Sequence, residues 1–207
     1  MYLSKLILNP SPACRAARRD LASPYEMHRT ILRAFPDRAD GGPGRVLFRV
    51  EPVADGSPPV VLVQSDKPPD WSLLGDADGY LAATPACKPV TLSLRPGQRL
   101  RFRLRANPTA RRKVQDRSLR VGLPREEDQL AWLTRKGQAG GFKPLAVTTL
   151  RSRKVISRRQ DRPQTHLSVD FEGILEVTDP DLLTRTIAQG VGSAKGYGFG
   201  LLSVAPG

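Results

Sequence analysis

Tyr25 and His28 stand three residues apart, and Arg29 and Arg33 four apart beside them, so on a helix the tyrosine and histidine share a face with arginines at its flank. Histidine exchanges protons near neutral pH, tyrosine hydrogen-bonds or orients through its phenol, and arginine holds phosphate. The constellation could therefore move a proton at a phosphate ester. The structural alternative is a packed histidine and tyrosine with no chemistry. The only other histidine, His166, reads as terminating or flanking a strand.

Five glycines and Lys195 fall within residues 190–200, in the run from Gly190 to Ser203. Glycine reaches positive φ and lets the backbone approach a ligand, so Gly192, Gly198 and Gly200 can offer N–H groups to an anion while Lys195 adds a point charge. A turn before a tightly packed final strand is the plainer reading. Arg99, Arg101, Arg103 and Arg105 alternate with Leu100, Phe102 and Leu104. On a strand this puts four arginines on one side at intervals of ~6.6 Å, short enough to follow consecutive phosphates. An edge strand protected by charge has the same pattern.

Charge distribution favours a polyanion partner. Residues 1–98 carry 12 basic and 10 acidic side chains (+2), residues 99–163 carry 19 and 5 (+14), and residues 164–207 carry 2 and 5 (−3). Nucleic acid fits this block better than a membrane surface, because no amphipathic basic helix is evident. Carboxylates do not cluster as in a two-metal nuclease, and no His/Cys set has zinc spacing, so neither a metal nor another cofactor is expected. Metal-free phosphodiester cleavage favours RNA, whose 2′-hydroxyl supplies the nucleophile. Cys14 and Cys87 read as reduced thiols, and the apolar N-terminus is too short for a secretory signal, so a cytoplasmic protein is expected.

The elements that would position these residues follow from local signals. Tyr2 to Asn9 reads as a strand. Ser23 suits an N-cap, Pro24 the first helical position and Glu26 the reciprocal capping-box position, for a helix running to about Ala34 with Met27, Ile31 and Leu32 inward. Strands at 45–51 and 59–64 give a β-α-β-β order, and 70–74 suits a short helix. The second half repeats the theme: the arginine strand, a helix from Arg125 to Lys136, a basic run 151–159, a strand 166–177, a helix capped by Asp179 and Pro180 that ends at Gly190, and a closing strand 201–204. The fold class is α+β, with two tandem ferredoxin-like (RRM-like) βαββαβ domains over residues 1–95 and 96–207.

Three ordered stretches, Ser23 to Arg29, Pro96 to Pro108 and Gly190 to Ser203, resemble the CasE family of CRISPR-associated endoribonucleases from type I-E systems. The resemblance implies a tandem ferredoxin-like fold that binds the stem-loop of CRISPR repeat RNA and cuts at the 3′ base of the stem. It implies metal-independent attack by the 2′-hydroxyl, leaving 2′,3′-cyclic phosphate and 5′-hydroxyl ends. Tyr25 and His28 carry over as the catalytic pair. Arg151, Arg153, Lys154, Arg158 and Arg159 match the placement of the family's RNA-binding hairpin. Cascade subunits are the implied protein partners, with a monomer expected outside that complex. Two alternatives stand beside it. Lys195 to Phe199 matches the start of an RNA-recognition signature, which would make the chain a non-catalytic RNA-binding module. His28-Arg29-Thr30 and His166-Leu167-Ser168 match the paired motifs of two-histidine RNA phosphoesterases, which require both histidines on strands.

Overall fold

The computed structural model describes residues 1–52, 56–74, 79–114, 117–159 and 162–207. The chain divides into two compact units, one comprising residues 1–91 with 157–162 and 196–198, the other residues 92–156, 163–195 and 199–207.

The first unit begins with β1 (Tyr2–Ile7), then α1 (Arg15–Ala22), α2 (Pro24–Leu32), β2 (Val46–Val50), β3 (Val60–Ser65) and β4 (Ala86–Pro89). These strands form an antiparallel sheet in the order β2-β3-β1-β4, the split βαβ arrangement of a ferredoxin-like unit. A 3-10 turn, Trp71–Leu74, stands where a second helix would connect β3 to β4. Met27 and Ile31, four apart on α2, are fully buried with Leu6, Phe48, Val61, Val63 and Trp71. Each such side chain removed from water contributes roughly 1.5–3 kcal/mol before conformational entropy is counted.

Ser23 both ends α1 and begins α2. Its N–H donates to the carbonyls of Arg19 and Asp20, and its Oγ accepts from the Glu26 N–H at 3.5 Å. Because that N–H closes α1, the reciprocal half of the expected capping box does not form, and the Glu26 carboxylate pairs with Arg29 at 3.3 Å. Arg19 adds a second tie by donating to Thr30 Oγ1 at 3.1 Å. Behind it the buried Asp20 carboxylate accepts from Tyr80 Oη at 2.9 Å.

The second unit runs β5 (Arg99–Ala106), β6 (Thr109–Val114), β7 (Arg117–Gly122), α3 (Glu126–Gln138), β8 (Phe142–Arg159), β9 (Arg162–Val177), α4 (Pro180–Gln189) and β10 (Leu202–Pro206). Its four-stranded sheet has the order β10-β5-β9-β8, the same topology as the first. A β6–β7 hairpin that the sequence reading missed is inserted before α3. The arginine strand β5 lies inside this sheet, so it is not a charged edge. Leu100, Phe102 and Leu104 face the core as expected. Asp179 Oδ1 accepts from Leu182 N–H at 2.9 Å, and Gly190 ends α4 at φ 78°. Substituting such a cap costs about 1 kcal/mol.

Candidate active site and basic surfaces

Around His28 the first unit gathers the tyrosine, the histidine and part of the glycine-rich loop. Tyr25 and His28 lie on the half-buried flank of α2, with Met27 and Ile31 anchoring its inner face. The His28 ring lies nearly parallel to Phe48 of β2, at 14° with centroids 6.1 Å apart. Gly196 closes over the ring's edge, where a first side-chain carbon would stand 3.3 Å from His28 Cδ2 and 3.4 Å from Nε2. Gly198, at φ 79°, would place its carbon 3.1 Å from Phe48 Cε2. Tyr197 brings its ring to 6.2 Å from Tyr25. Phe48, Gly196 and Tyr197 are parts of the site that spacing did not reveal.

His28 Nδ1 is buried without a hydrogen-bond partner. Burial disfavours the imidazolium and lowers the pKa below the ordinary 6.5, leaving the ring neutral at pH 7. A neutral imidazole can accept a proton from a substrate hydroxyl, and with Nδ1 shut from solvent the nitrogen open to that exchange is Nε2. Arg29 is exposed and paired with Glu26, while Arg33 is exposed and donates to the Leu73 carbonyl at 3.4 Å.

The other predicted residues belong to the second unit's surfaces and loop. On β5, Arg103 pairs with Glu172, Arg105 binds Asp170 at 2.6 Å, and Arg101 donates to the Pro206 carbonyl at 3.1 Å. Arg99 stands opposite Glu176. Carboxylates of β9 thus answer much of the charge that the sequence presents as a phosphate ladder. Arg151, Arg153 and Lys154 are exposed on β8. Ser152 Oγ accepts from Gln129 of α3 at 3.2 Å, so Arg151 and Arg153 lie on the opposite face of the strand. The side chains of Arg158 and Arg159 lie outside the described residues.

Gly192 and Gly200 combine a positive φ with packing that leaves no room for a Cβ. A side chain at Gly192 would meet Trp132 at 2.9 Å, and one at Gly200 would meet the Val191 carbonyl at 2.8 Å. Both alternatives from the sequence lose their structural premise. Lys195–Tyr197 is a 3-10 turn with Phe199 buried behind it, where an RNA-recognition signature needs a strand with exposed aromatics. His28 sits on a helix and His166 on β9, so the two-strand requirement of the phosphoesterase motif fails. His166 packs edge-on to Phe199 at 5.9 Å and contacts Asn107 at 3.5 Å. Among the described residues, no group of three or more His, Cys, Asp or Glu gathers to hold a metal, and no helix is long and apolar enough to cross a membrane.

Two antiparallel sheets of one topology, the first bearing a tyrosine–histidine helix, define a tandem ferredoxin-like protein. A family model described as "CRISPR associated protein" matches residues 1–206, and the chain belongs to that family, in its CasE branch. It is 45% identical to the CRISPR-associated endoribonuclease Cse3 of Thermus thermophilus and 34% identical to the CRISPR system Cascade subunit CasE of Escherichia coli K12, with 100% of each chain covered in both comparisons. A structure of Cse3 bound to a 19 nt RNA superposes with a TM-score of 0.89 at 45% identity over 100% of both chains.

Proposed function

We propose that the protein is an endoribonuclease that binds the stem-loop of CRISPR repeat RNA and cuts at the 3′ base of the stem. Similarity over the whole length to a protein named as an endoribonuclease supports the activity. The observation that carries the chemistry is a half-buried histidine, its pKa lowered by burial, on a capped helix beside a tyrosine and a glycine-rich loop. In this reading His28 accepts the proton of the 2′-hydroxyl next to the scissile phosphate. The 2′-oxygen attacks phosphorus, and the bond to the 5′-oxygen breaks as that oxygen takes up a proton. The products are a 2′,3′-cyclic phosphate and a 5′-hydroxyl. Tyr25, one turn before His28, orients or polarises the reacting groups.

The N-terminal domain, residues 1–95, supplies the Tyr25/His28 helix with Arg29 and Arg33. The C-terminal domain, residues 96–207, supplies the basic hairpin (Arg151, Arg153, Lys154, Arg158, Arg159) and the loop (Gly192, Lys195, Gly198, Gly200). Arg99 and Arg101 are better placed than Arg103 and Arg105 to meet RNA, since the latter hold carboxylates. The enzyme works in the cytoplasm as a monomer that joins a Cascade complex, as the name of its Escherichia coli relative suggests.

The test is an RNA hairpin carrying one 2′-deoxy nucleotide immediately 5′ of the scissile phosphate. It should bind like the unmodified hairpin and resist cutting, because the substrate supplies the nucleophile. The unmodified hairpin should be cut in excess EDTA, with an upstream product one water lighter than the linear phosphate. Cutting of the deoxy substrate, or a loss in EDTA that magnesium restores, would assign the attack to water and overturn the mechanism. Tight binding with no cutting of the unmodified hairpin would leave the non-catalytic reading.

A further inference from the structure

Ser23 alone separates α1 from α2, so the direction in which α2 presents His28 depends on how the two helices are tied. The tie runs through a buried carboxylate. Asp20 Oδ1 accepts from Arg19 Nε at 2.8 Å, with Arg19 Nη2 at the same distance. That Nη2 also donates to Thr30 Oγ1 of α2 at 3.1 Å. On the other side Asp20 Oδ2 accepts from Tyr80 Oη at 2.9 Å, and the same hydroxyl stands 3.5 Å from Met27 Sδ. Burial and the neighbouring carboxylate raise the Tyr80 pKa well above the ordinary 10, so the phenol keeps its proton and remains a donor. One carboxylate thus reaches α2 at Met27 and at Thr30, which bracket His28 in the sequence.

A charge shut from water is costly, and apolar side chains of like volume often hold two elements together as well or better. The helices already share such a seam, since Ala17 of α1 and Met27 and Ile31 of α2 belong to one buried cluster. What the ionic network adds is direction. Apolar contact tolerates a small roll of a nine-residue helix about its axis, whereas a fully paired polar network inside the fold specifies one arrangement. Rotation matters at His28, whose ring lies at 14° to Phe48 with Gly196 over its edge. A roll that carries the ring off Phe48 exposes it to water and carries Tyr25 away from Tyr197 as well. The titratable groups that act on the network are Cys14, Arg19, Glu26 and Tyr80.

We propose that Asp20 is a positioning residue for cleavage: through Arg19 to Thr30, and through Tyr80 to Met27, it fixes the rotation of α2 and holds the His28 ring where proton transfer requires it. The inference rests on the endoribonuclease reading and adds to it a residue that acts only through others.

The experiment follows single-turnover cutting of the unmodified hairpin at saturating protein across pH, with binding of the 2′-deoxy hairpin and thermal melting measured on the same variants. Asp20→Asn keeps the size of the side chain and removes the charge that holds Arg19. It should slow cutting by roughly 10- to 100-fold at the pH plateau, the scale of a small misplacement of a reacting group. Its acidic limb should move up toward 6.5 as water regains the ring, while the 2′-deoxy hairpin binds as it does to wild type. Thr30→Val, of the same shape without the hydroxyl, should show both changes to a lesser degree, and Thr30→Ser should restore wild-type cutting. Leu175→Ala, in the core of the second unit, should lower the melting temperature and leave rate and limb unchanged. A folded Asp20→Asn that cuts at the wild-type rate, that cuts slowly with its limb unmoved, or that loses hairpin affinity in step with rate overturns the proposal. If that variant fails to fold, wild-type rate and limb in Thr30→Val overturn it instead. Equal slowing in Leu175→Ala or in Thr30→Ser would trace the effect to lost stability, also against the proposal. A wild-type protein that binds the hairpin without cutting it defeats the endoribonuclease reading, whereas one that cuts it beside unaffected variants defeats only the part given to Asp20.

Discussion

The chemistry proposed for His28 depends on what surrounds it. Stacking on Phe48 and closure by Gly196 withhold water from the ring, and that desolvation lowers its pKa. Its base form therefore persists below pH 6.5, and the acidic limb of kcat/KM for hairpin cleavage should fall below that value. Phe48→Ala should rehydrate the ring and move the limb up toward 6.5 with little change in RNA affinity, which a pH–rate profile of the variant would reveal; an unmoved limb would deny Phe48 this part. His28→Ala should lose cleavage by ~100-fold or more, Tyr25→Phe less, and His166→Ala almost nothing. Equal collapse of both histidine variants would revive a two-histidine mechanism despite the helix. The placement of Tyr25 and His28 on one helix was legible because Ser23 and Pro24 announce the helix and fix its faces. Phe48 and Gly196 were not, because their contacts arise where a distant strand and loop approach α2, and no local period encodes such an approach.

The β5 strand shows what periodicity carries and what it leaves out. Its alternation identified the buried Leu100, Phe102 and Leu104 correctly. The partners of its arginines lie on β9, with Asp170 65 residues beyond Arg105, and only the sheet order brings them together. Arg105→Ala should therefore cost about 2 kcal/mol of folding stability, the scale of a charge-assisted hydrogen bond in a partly buried pair, with little change in the salt slope of RNA binding. Denaturant melts and the salt series separate the two effects. Arg151→Gln with Arg153→Gln should behave the opposite way, flattening the slope by up to roughly 0.7–0.9 for each phosphate left unneutralised and leaving stability nearly untouched. Among the helices, α2 and α4 were read from their caps, whereas α1 was missed because Cys14 at its start supplies no capping side chain.

For the molecule as a whole, both histidines have their pKa values lowered by burial. Protonation then favours the unfolded chain, so their contribution to stability is complete above the unfolded value near 6.5 and is lost as pH falls through the depressed folded values. Thermal melts on either side of pH 6.5 should show a lower melting temperature in acid, and replacing both histidines with glutamine should flatten that dependence. A paired sheet of the same topology in each half was legible from the repeated β-α-β-β order, but the inserted β6–β7 hairpin was hidden inside the basic block, where charge obscures the alternation. The 18 residues of β8 form a long border strand of their sheet, with β9 on one side and Leu150 and Ile156 exposed. A border that long could accept a strand from a second copy and seed aggregation. Mutual repulsion between the arginines of two such borders would oppose that pairing, so a variant neutralised along β8 should lose solubility along with affinity, a loss that sedimentation in the absence of RNA would expose.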